Sequence, residues 1–285
     1  MSGNPGAKLS GKTLLLSGGS RGIGLAIALR AAADGANVAL LAKTAQPHPR
    51  LEGTVYTAAE EIEKAGGTAL PIVGDVRDDE DVAAAVEATV RTFGGIDIVV
   101  NNASAIDLSK TDALPMKKYD LLQSVNARGT FLLSKTCLPS LRAAENPHIL
   151  TLSPPLNLRP AWAGRHLGYT ISKYGMSLVT LGLADELRDE GIAVNSLWPH
   201  TVVATAAVRV LFGGDTALAR ARTPQIMADA AYAVLTRDAR SCTGNFFIDD
   251  EVLAAEGMSA ADLDRYRYAG AETDTDLETD IFLDT

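Results

Sequence analysis

Short apolar runs alternate with longer amphipathic stretches along most of this chain. Residues 13–18 (TLLLSG), 37–42 (NVALLA), 68–73 (TALPIV), 96–101 (IDIVVN), 148–153 (HILTLS), 192–197 (IAVNSL) and 245–249 (NFFID) are nearly continuously apolar. Runs of that length without polar alternation fit parallel strands covered on both faces. Between them apolar positions recur every three to four residues, as at Val82, Val86, Val90 and Phe93, which is the helical period. Thr57-Ala-Ala-Glu60 has the form of a capping box opening a helix, and Gly66-Gly67 and Gly94-Gly95 read as helix stops. Strands alternating with helices predict an α/β fold: a Rossmann-type doubly wound parallel sheet of about seven strands, helices on both faces, in a single domain over residues 8–250. Residues 251–285 form a C-terminal extension whose acidic tail reads as a docked arm or as a disordered segment.

Composition narrows the function. The chain has 285 residues, 47% hydrophobic and 21% charged, the profile of an ordinary globular protein. Its net charge of −9 is uneven, because Glu272, Asp274, Asp276, Glu278, Asp280 and Asp284 sit in the tail; without them the balance is −3. An acidic balance argues against general nucleic-acid binding, which needs a basic surface, and leaves room only for a local basic site. Cys137 and Cys242 have no CxxC spacing, so a reduced chain without disulfide framework or zinc knuckle is expected. His48, His148, His166 and His200 lack ligand spacing, and no metal site is expected. The N-terminus lacks the apolar stretch of a signal peptide, and no run is long enough to span a bilayer. The default expectation is a cytoplasmic protein.

Two stretches resemble phosphate-binding loops. Gly6-Ala-Lys-Leu-Ser-Gly11-Lys12-Thr13 matches the G-x-x-x-x-G-K-[ST] spacing, but it precedes a strand instead of following one, so its amides have no helix N-terminus to converge with. The match reads as coincidence. The second stretch has the right context. A strand ends at Ser17, and Gly18-x-x-x-Gly22-x-Gly24, with Ser20, Arg21 and Ile23 between, turns into a helix. Gly18 permits the tight turn, Gly22 lets backbone approach a pyrophosphate, and Gly24 lets the helix pack on the strand. After the second strand stand Ala42-Lys43-Thr44, with no acid for ribose hydroxyls. Lys43 with Arg21 suits the 2′-phosphate of NADP(H), and His48 and Arg50 lie in the loop that follows.

These motifs and those downstream resemble the short-chain dehydrogenase/reductase family over residues 9–250. The resemblance rests on Ser17-Gly18-x-x-x-Gly22-Ile23-Gly24, Asp75-Val76, Asn101-Asn102-Ala103, Asn126 in SVNARG, and Tyr169-x-x-x-Lys173. Within the family it points to a branch whose eukaryotic members add a sterol-carrier-like domain, which is not expected within these 285 residues. The resemblance implies that Gly18–Gly24 hold the pyrophosphate, Asp75-Val76 the adenine end, and Asn102 the adenine-side ribose region. Tyr169 would exchange the proton, Lys173 would bind the nicotinamide ribose, Asn126 would hold a relaying water, and the Val202 backbone would meet the nicotinamide. Family members commonly assemble as homo-oligomers, tetramers or dimers. A free phenol titrates near ~10; Lys173, one turn along, favours the phenolate and an oxidised nicotinamide adds positive charge, and a lowering by roughly 2 units corresponds to about 2.7 kcal/mol.

One departure stands out. The family ends its fifth strand with a catalytic serine, and in ILTLSPP that register falls on Pro154, with Ser153 one residue early. Proline has no donor, and losing one oxyanion donor costs about 2.7–4 kcal/mol. Ser153 is the candidate substitute. A second departure puts His200 where the family has glycine, facing either substrate or solvent. Segment 200–223, with Val202, Val203, Val208, Val210, Leu211 and Phe212, is the expected lid over an apolar carbonyl or alcohol substrate. The reading is an NADP(H)-dependent oxidoreductase; the alternative is a non-catalytic NADP(H)-binding sensor or scaffold.

Overall fold

The sheet forms where the apolar runs are. In the computed structural model, which describes residues 8–47, 52–211, 214–268 and 277–284, the strands are β1 (Thr13–Ser17), β2 (Asn37–Ala42), β3 (Thr68–Val73), β4 (Ile98–Asn101), β5 (His148–Thr151), β6 (Ala193–Trp198) and β7 (Phe246–Ile248). All pair in parallel, in the order β3-β2-β1-β4-β5-β6-β7. The order reverses between β1 and β4, and the crevice beyond their C-terminal ends is where such a sheet takes a ligand.

The helices are α1 (Gly22–Ala32), α2 (Val55–Lys64), α3 (Asp79–Phe93), α4 (Met116–Leu122), α5 (Gly129–Leu141), α6 (Pro160–Arg165), α7 (Leu167–Glu186), α8 (Ala206–Leu211), α9 (Asp215–Ala219), α10 (Gln225–Leu235) and α11 (Asp249–Ala255), with a π-helical turn over Gln123–Arg128. Successive strand residues serve opposite faces. Leu14, Leu16, Val38 and Leu40 pack with Ile27 of α1 and Ile226 of α10. Leu15, Ala39 and Leu41 pack with Val82 of α3, Leu133 of α5 and Leu183 of α7. A fully buried leucine contributes ~1.5–3 kcal/mol, so both faces drive the fold, and no polar alternation survives in the sequence.

Several boundaries differ from the sequence expectation. β5 stops at Thr151, because the Ser153 amide turns back onto the Thr151 carbonyl (3.0 Å) and Pro154 and Pro155 cannot extend a ladder. The capping box is Thr54 with Thr57, not Thr57 with Glu60: the Thr57 amide donates to Thr54 Oγ1 (3.1 Å) and the Thr54 amide to Thr57 Oγ1 (2.8 Å). Position 250 is no structural boundary, since Val252, Leu253, Leu263 and Tyr266 join the core on the α1 and α10 face. Among the described residues no helix is long and apolar enough to cross a membrane, and no group of metal-ligating side chains is gathered.

Candidate active site

The glycine turn after β1 is fitted to the end of β4. Gly18 has φ +74°, and a Cβ there would lie 2.8 Å from Ala103 Cα; a Cβ on Gly24 would lie 2.5 Å from Asn102 Nδ2. Asn102 fills that space and braces the turn, donating Nδ2 to the carbonyls of Ser17 (3.0 Å) and Gly18 (2.8 Å). Ser17 Oγ accepts the amides of Asn102 and Ala103, each at 3.2 Å. Asn102 therefore acts on the turn itself, a role the ribose assignment does not contain. Ser20 is buried, and Arg21, Gly22 and Ile23 face a cavity of about 300 Å³.

The cations meant for a 2′-phosphate already have partners. Lys43 Nζ lies 2.9 Å from Asp75 Oδ2, and Arg77 grips the same carboxylate at 2.6 Å. Those two cations, Arg77 foremost, hold the Asp75 carboxyl well below the usual range. An acid thus stands beside Lys43 after all, delivered from the end of β3. Arg21 donates to the carbonyls of Glu52 (2.8 Å) and Gly53 (2.6 Å), which satisfy its N–H groups without cancelling its charge. Val76 is buried, its methyls 3.0–3.1 Å from where a Cβ on Gly129 would be. His48 and Arg50 lie outside the described residues. Lys12, of the formal phosphate-loop match, pairs with Asp97 (3.6 Å) and Glu145 (3.5 Å) ahead of β1.

On the other wall, α7 presents Tyr169 and Lys173 to the same cavity. Lys173 is buried; its ammonium donates to the Leu152 carbonyl (2.7 Å) and lies 5.0 Å from the centre of the Trp198 ring. Burial pushes it down to about 7, partly countered by Asp280. The Tyr169 phenol moves up from its ordinary value, through burial and then the Asp280 carboxylate, with the Ser104 hydroxyl pulling the other way. In the chain alone, Lys173 is not among the causes that move the phenol, and the expected lowering is absent.

Ser153 does not reach this centre as a spare donor. It is buried, and its hydroxyl shares a 2.8 Å hydrogen bond with Ser196 Oγ, which in turn donates to Thr180 Oγ1 (2.8 Å). The residue before it, Leu152, faces the cavity, whereas the turn that ends β5 directs the Ser153 hydroxyl to Ser196 of β6. Asn126 is fully buried in the π-helical turn, a local geometry frequent at functional sites. Its side chain takes the Ala105 amide (2.7 Å) and donates to the Ala105 carbonyl (3.0 Å) and Ser172 Oγ (2.8 Å). It clamps the segment after β4 that carries Ser104, and Ser104 also lines the cavity.

The Val202 backbone is likewise committed to the protein. Its amide donates to the Glu278 carbonyl (2.8 Å) and its carbonyl accepts the Arg222 amide (3.0 Å), so Val202 serves the cavity through its side chain. His200 turns its Nδ1 to Asp250 (2.6 Å), which raises its pKa, and half of its side chain is exposed. Sequence reasoning left the tail open between a docked arm and a disordered segment and placed none of it at the site: Glu278, Thr279, Asp280 and Ile281 line the cavity. The one available signal was the apolar triplet Ile281-Phe282-Leu283 within that tail. Phe282 is buried against Trp162, Tyr169, Tyr174 and Trp198.

Comparison with known proteins agrees with this geometry. The family model for short chain dehydrogenase matches residues 12–212. Hydroxysteroid dehydrogenase-like protein 2 of Xenopus tropicalis is 56% identical over 277 residues, 97% of this chain and 64% of its own length. The Homo sapiens protein of that name is 52% identical over the same shares. The chain thus spans 64% of the length of these curated relatives. A short chain dehydrogenase from Mycobacterium thermoresistibile superposes with a TM-score of 0.91 at 56% identity, over 97% of this chain and 96% of that one. A metagenomic short-chain oxidoreductase in complex with NADP gives 0.69 at 26% identity, over 85% of this chain and 97% of that one.

Proposed function

Because this chain belongs to the short-chain dehydrogenase family, we propose that it is an NADP(H)-dependent oxidoreductase interconverting a carbonyl and an alcohol on an apolar, lipid-like substrate. The observation that carries the reading is one cavity lined both by the glycine turn (Arg21, Gly22, Ile23) and by Tyr169 and Lys173. Gly22, in the left-handed region at φ +60°, is the glycine of the turn that lines the cavity, and its lack of a side chain suits the backbone to a pyrophosphate lying on the turn. When bound, that dinucleotide supplies or accepts the hydride.

The residues divide the remaining work. Gly18–Gly24 approach the pyrophosphate through backbone, and Asn102 keeps the turn in shape. Arg21, which pairs with no carboxylate among the described residues, is the principal partner for a 2′-phosphate; Lys43 joins by exchanging Asp75 for phosphate, leaving Asp75 to Arg77. Asp75 and Val76 border the adenine. Lys173 holds the ribose nearest the reacting carbon, and Tyr169 gives its proton to a carbonyl oxygen or takes one from an alcohol. Ile106, Leu152, Trp198, Val208, Met227 and Ile281 surround the substrate, and the name of the related hydroxysteroid dehydrogenase-like proteins agrees with an apolar compound. Phe131 on α5 and Ile171, Leu178 and Leu181 on α7 are exposed apolar side chains, a surface suited to pairing with a second copy.

Fluorescence titration with NADPH and NADH, in wild type and Lys43→Ala, tests the cofactor, and a screen of ketones and aldehydes with Tyr169→Phe as control tests the reaction. Tighter NADPH binding that Lys43→Ala erodes, with turnover abolished in Tyr169→Phe, is the expected result. NADPH binding without Tyr169-dependent turnover would favour the sensor reading, which Pro154 and the core-facing Ser153 support. Binding of neither nucleotide would overturn both.

A further inference from the structure

The arm brings to the cavity a titratable group that hydride and proton transfer, as described, do not use. Residues 277–284 are extended along the loop after β6. Thr279 bridges Thr201 in antiparallel sense, and the Asp280 amide donates to the His200 carbonyl at 2.9 Å. On the far side, Trp198 Nε1 donates to the Ile281 carbonyl at 3.0 Å. Phe282 then inserts beside Tyr169, with ring centroids 6.2 Å apart and planes at 26°. Asp280 is therefore fixed from both directions, and its side chain joins Tyr169 and Lys173 in lining the cavity. A carboxylate on a largely apolar wall is costly unless a cation faces it, and Lys173 is the buried cation of this centre.

We propose that Asp280 is a positioning residue of the Tyr169–Lys173 centre, its carboxylate supplying the counter-charge that keeps Lys173 an ammonium and Tyr169 a phenol. The proposal rests on the reading of Tyr169 as the proton-exchanging group. In carbonyl reduction the substrate oxygen takes the proton of the Tyr169 hydroxyl, leaving a phenolate beside Lys173. A neighbouring carboxylate disfavours the phenolate, so it keeps Tyr169 in the protonated form from which reduction starts up to higher pH.

The electrostatics agree in sign. Asp280 raises both Lys173 and Tyr169. Its own carboxyl is pushed up to about 7, by burial first and then by Asp249 and Glu278, against the Ile281 amide and Lys173. Lys173 and Asp280 thus change charge in the same pH range, and each must register the other's titration.

The test follows the Lys173 ε-carbon by NMR in protein carrying 13C-labelled lysine, assigned by its loss in Lys173→Met, alongside the Asp280 side-chain carboxyl. In wild type the Lys173 curve should show an inflection at the Asp280 midpoint. Asp280→Asn should remove that inflection and lower the Lys173 midpoint by about one unit, while Asp280→Glu retains both features. An unmoved Lys173 midpoint in Asp280→Asn overturns the proposal. If that variant undocks the arm, the wild-type curve decides: a Lys173 titration indifferent to Asp280 overturns it equally. A coupled titration in a protein with no turnover on any substrate would sink the oxidoreductase reading and leave the charge pairing standing. With turnover, Asp280→Asn should move the alkaline limb of the reduction profile to lower pH.

Discussion

Replacing Phe282 by alanine should release the arm and leave the body folded. Phe282 is 2% exposed, and it is the buried side chain of residues 277–284, where its neighbours are half-buried or exposed. A buried Phe→Ala change typically costs ~3–5 kcal/mol, and ring pairs add ~0.5–1.5 kcal/mol each beyond area. What would remain are the hydrogen bonds Val202–Glu278, Glu278–Arg220, Asp280–His200, Trp198–Ile281 and Asn157–Phe282, with Asn157 and Trp162 donating to the Asp284 carboxylate, about 1 kcal/mol apiece. The exposed Arg159–Asp284 pair (2.6 Å) adds ~0–1 kcal/mol. Ordering residues 277–284 costs ~1–2 kcal/mol each for the backbone and more for the side chains, which the survivors do not cover. Global stability then falls by no more than the arm's docking free energy. Hydrogen exchange should show the Val202 and Asp280 amides losing protection, and Trp162 and Trp198 emission should shift to the red. Tm should drop far less than the ~6–20 °C that a global loss of 3–5 kcal/mol would produce at ~2–4 °C per kcal/mol. A Val202 amide still protected in Phe282→Ala would refute the reasoning, as would a full-sized fall in Tm with arm and core amides exchanging together.

Ser153→Ala should lower stability by about 1–2 kcal/mol, through the hydrogen bond lost to buried Ser196, and change kcat less than threefold; a loss of about 10²–10³ in kcat would restore it as the oxyanion donor. Asn126→Ala should leave both backbone groups of Ala105 without their partner, so turnover and the order of the Ser104–Ala105 segment should fall together, read by activity and by local hydrogen exchange. Asp249 is fully buried, its Oδ2 lacks a partner, and burial pushes its carboxyl up to about 7. Its folded pKa lies above the unfolded value, so the folded state binds the extra proton and stability falls as pH rises from about 4 to about 7. Asp249→Asn should remove that slope in denaturant titrations, gaining on wild type as pH rises; parallel curves for the two proteins would contradict the burial argument.

The sheet was legible because its strands are buried on both faces, which leaves uninterrupted apolar runs. The glycine turn was legible because its spacing falls directly after β1. Three other features rest on contacts between distant residues. Lys43 meets Asp75 because β2 and β3 end side by side, and nothing local to either residue signals it. Ser153 faces the core because β5 ends at Thr151, a boundary set by a turn that composition does not reveal. The arm was obscured by its acidity: Glu272, Asp274 and Asp276 suggest a solvated tail, while docking depends on a single aromatic side chain. Asn126 was found by motif, yet its clamp on Ala105 needed the π-helical turn to be seen.

The docked arm also sets an order of assembly. Its contacts join residues far apart in the chain, Trp198 to Ile281 and Asn157 to Asp284, and they come after every strand has been made. During synthesis the sheet and its helices can close around β1 and β4 while residues 277–284 have yet to emerge. Such an intermediate has the crevice beyond β1 and β4 in shape, while Tyr169 and Trp198 await the cover of Phe282 and the wall that carries Asp280 is still missing. Of the described walls of the cavity, that one is therefore the last to form, when Phe282 finds its place.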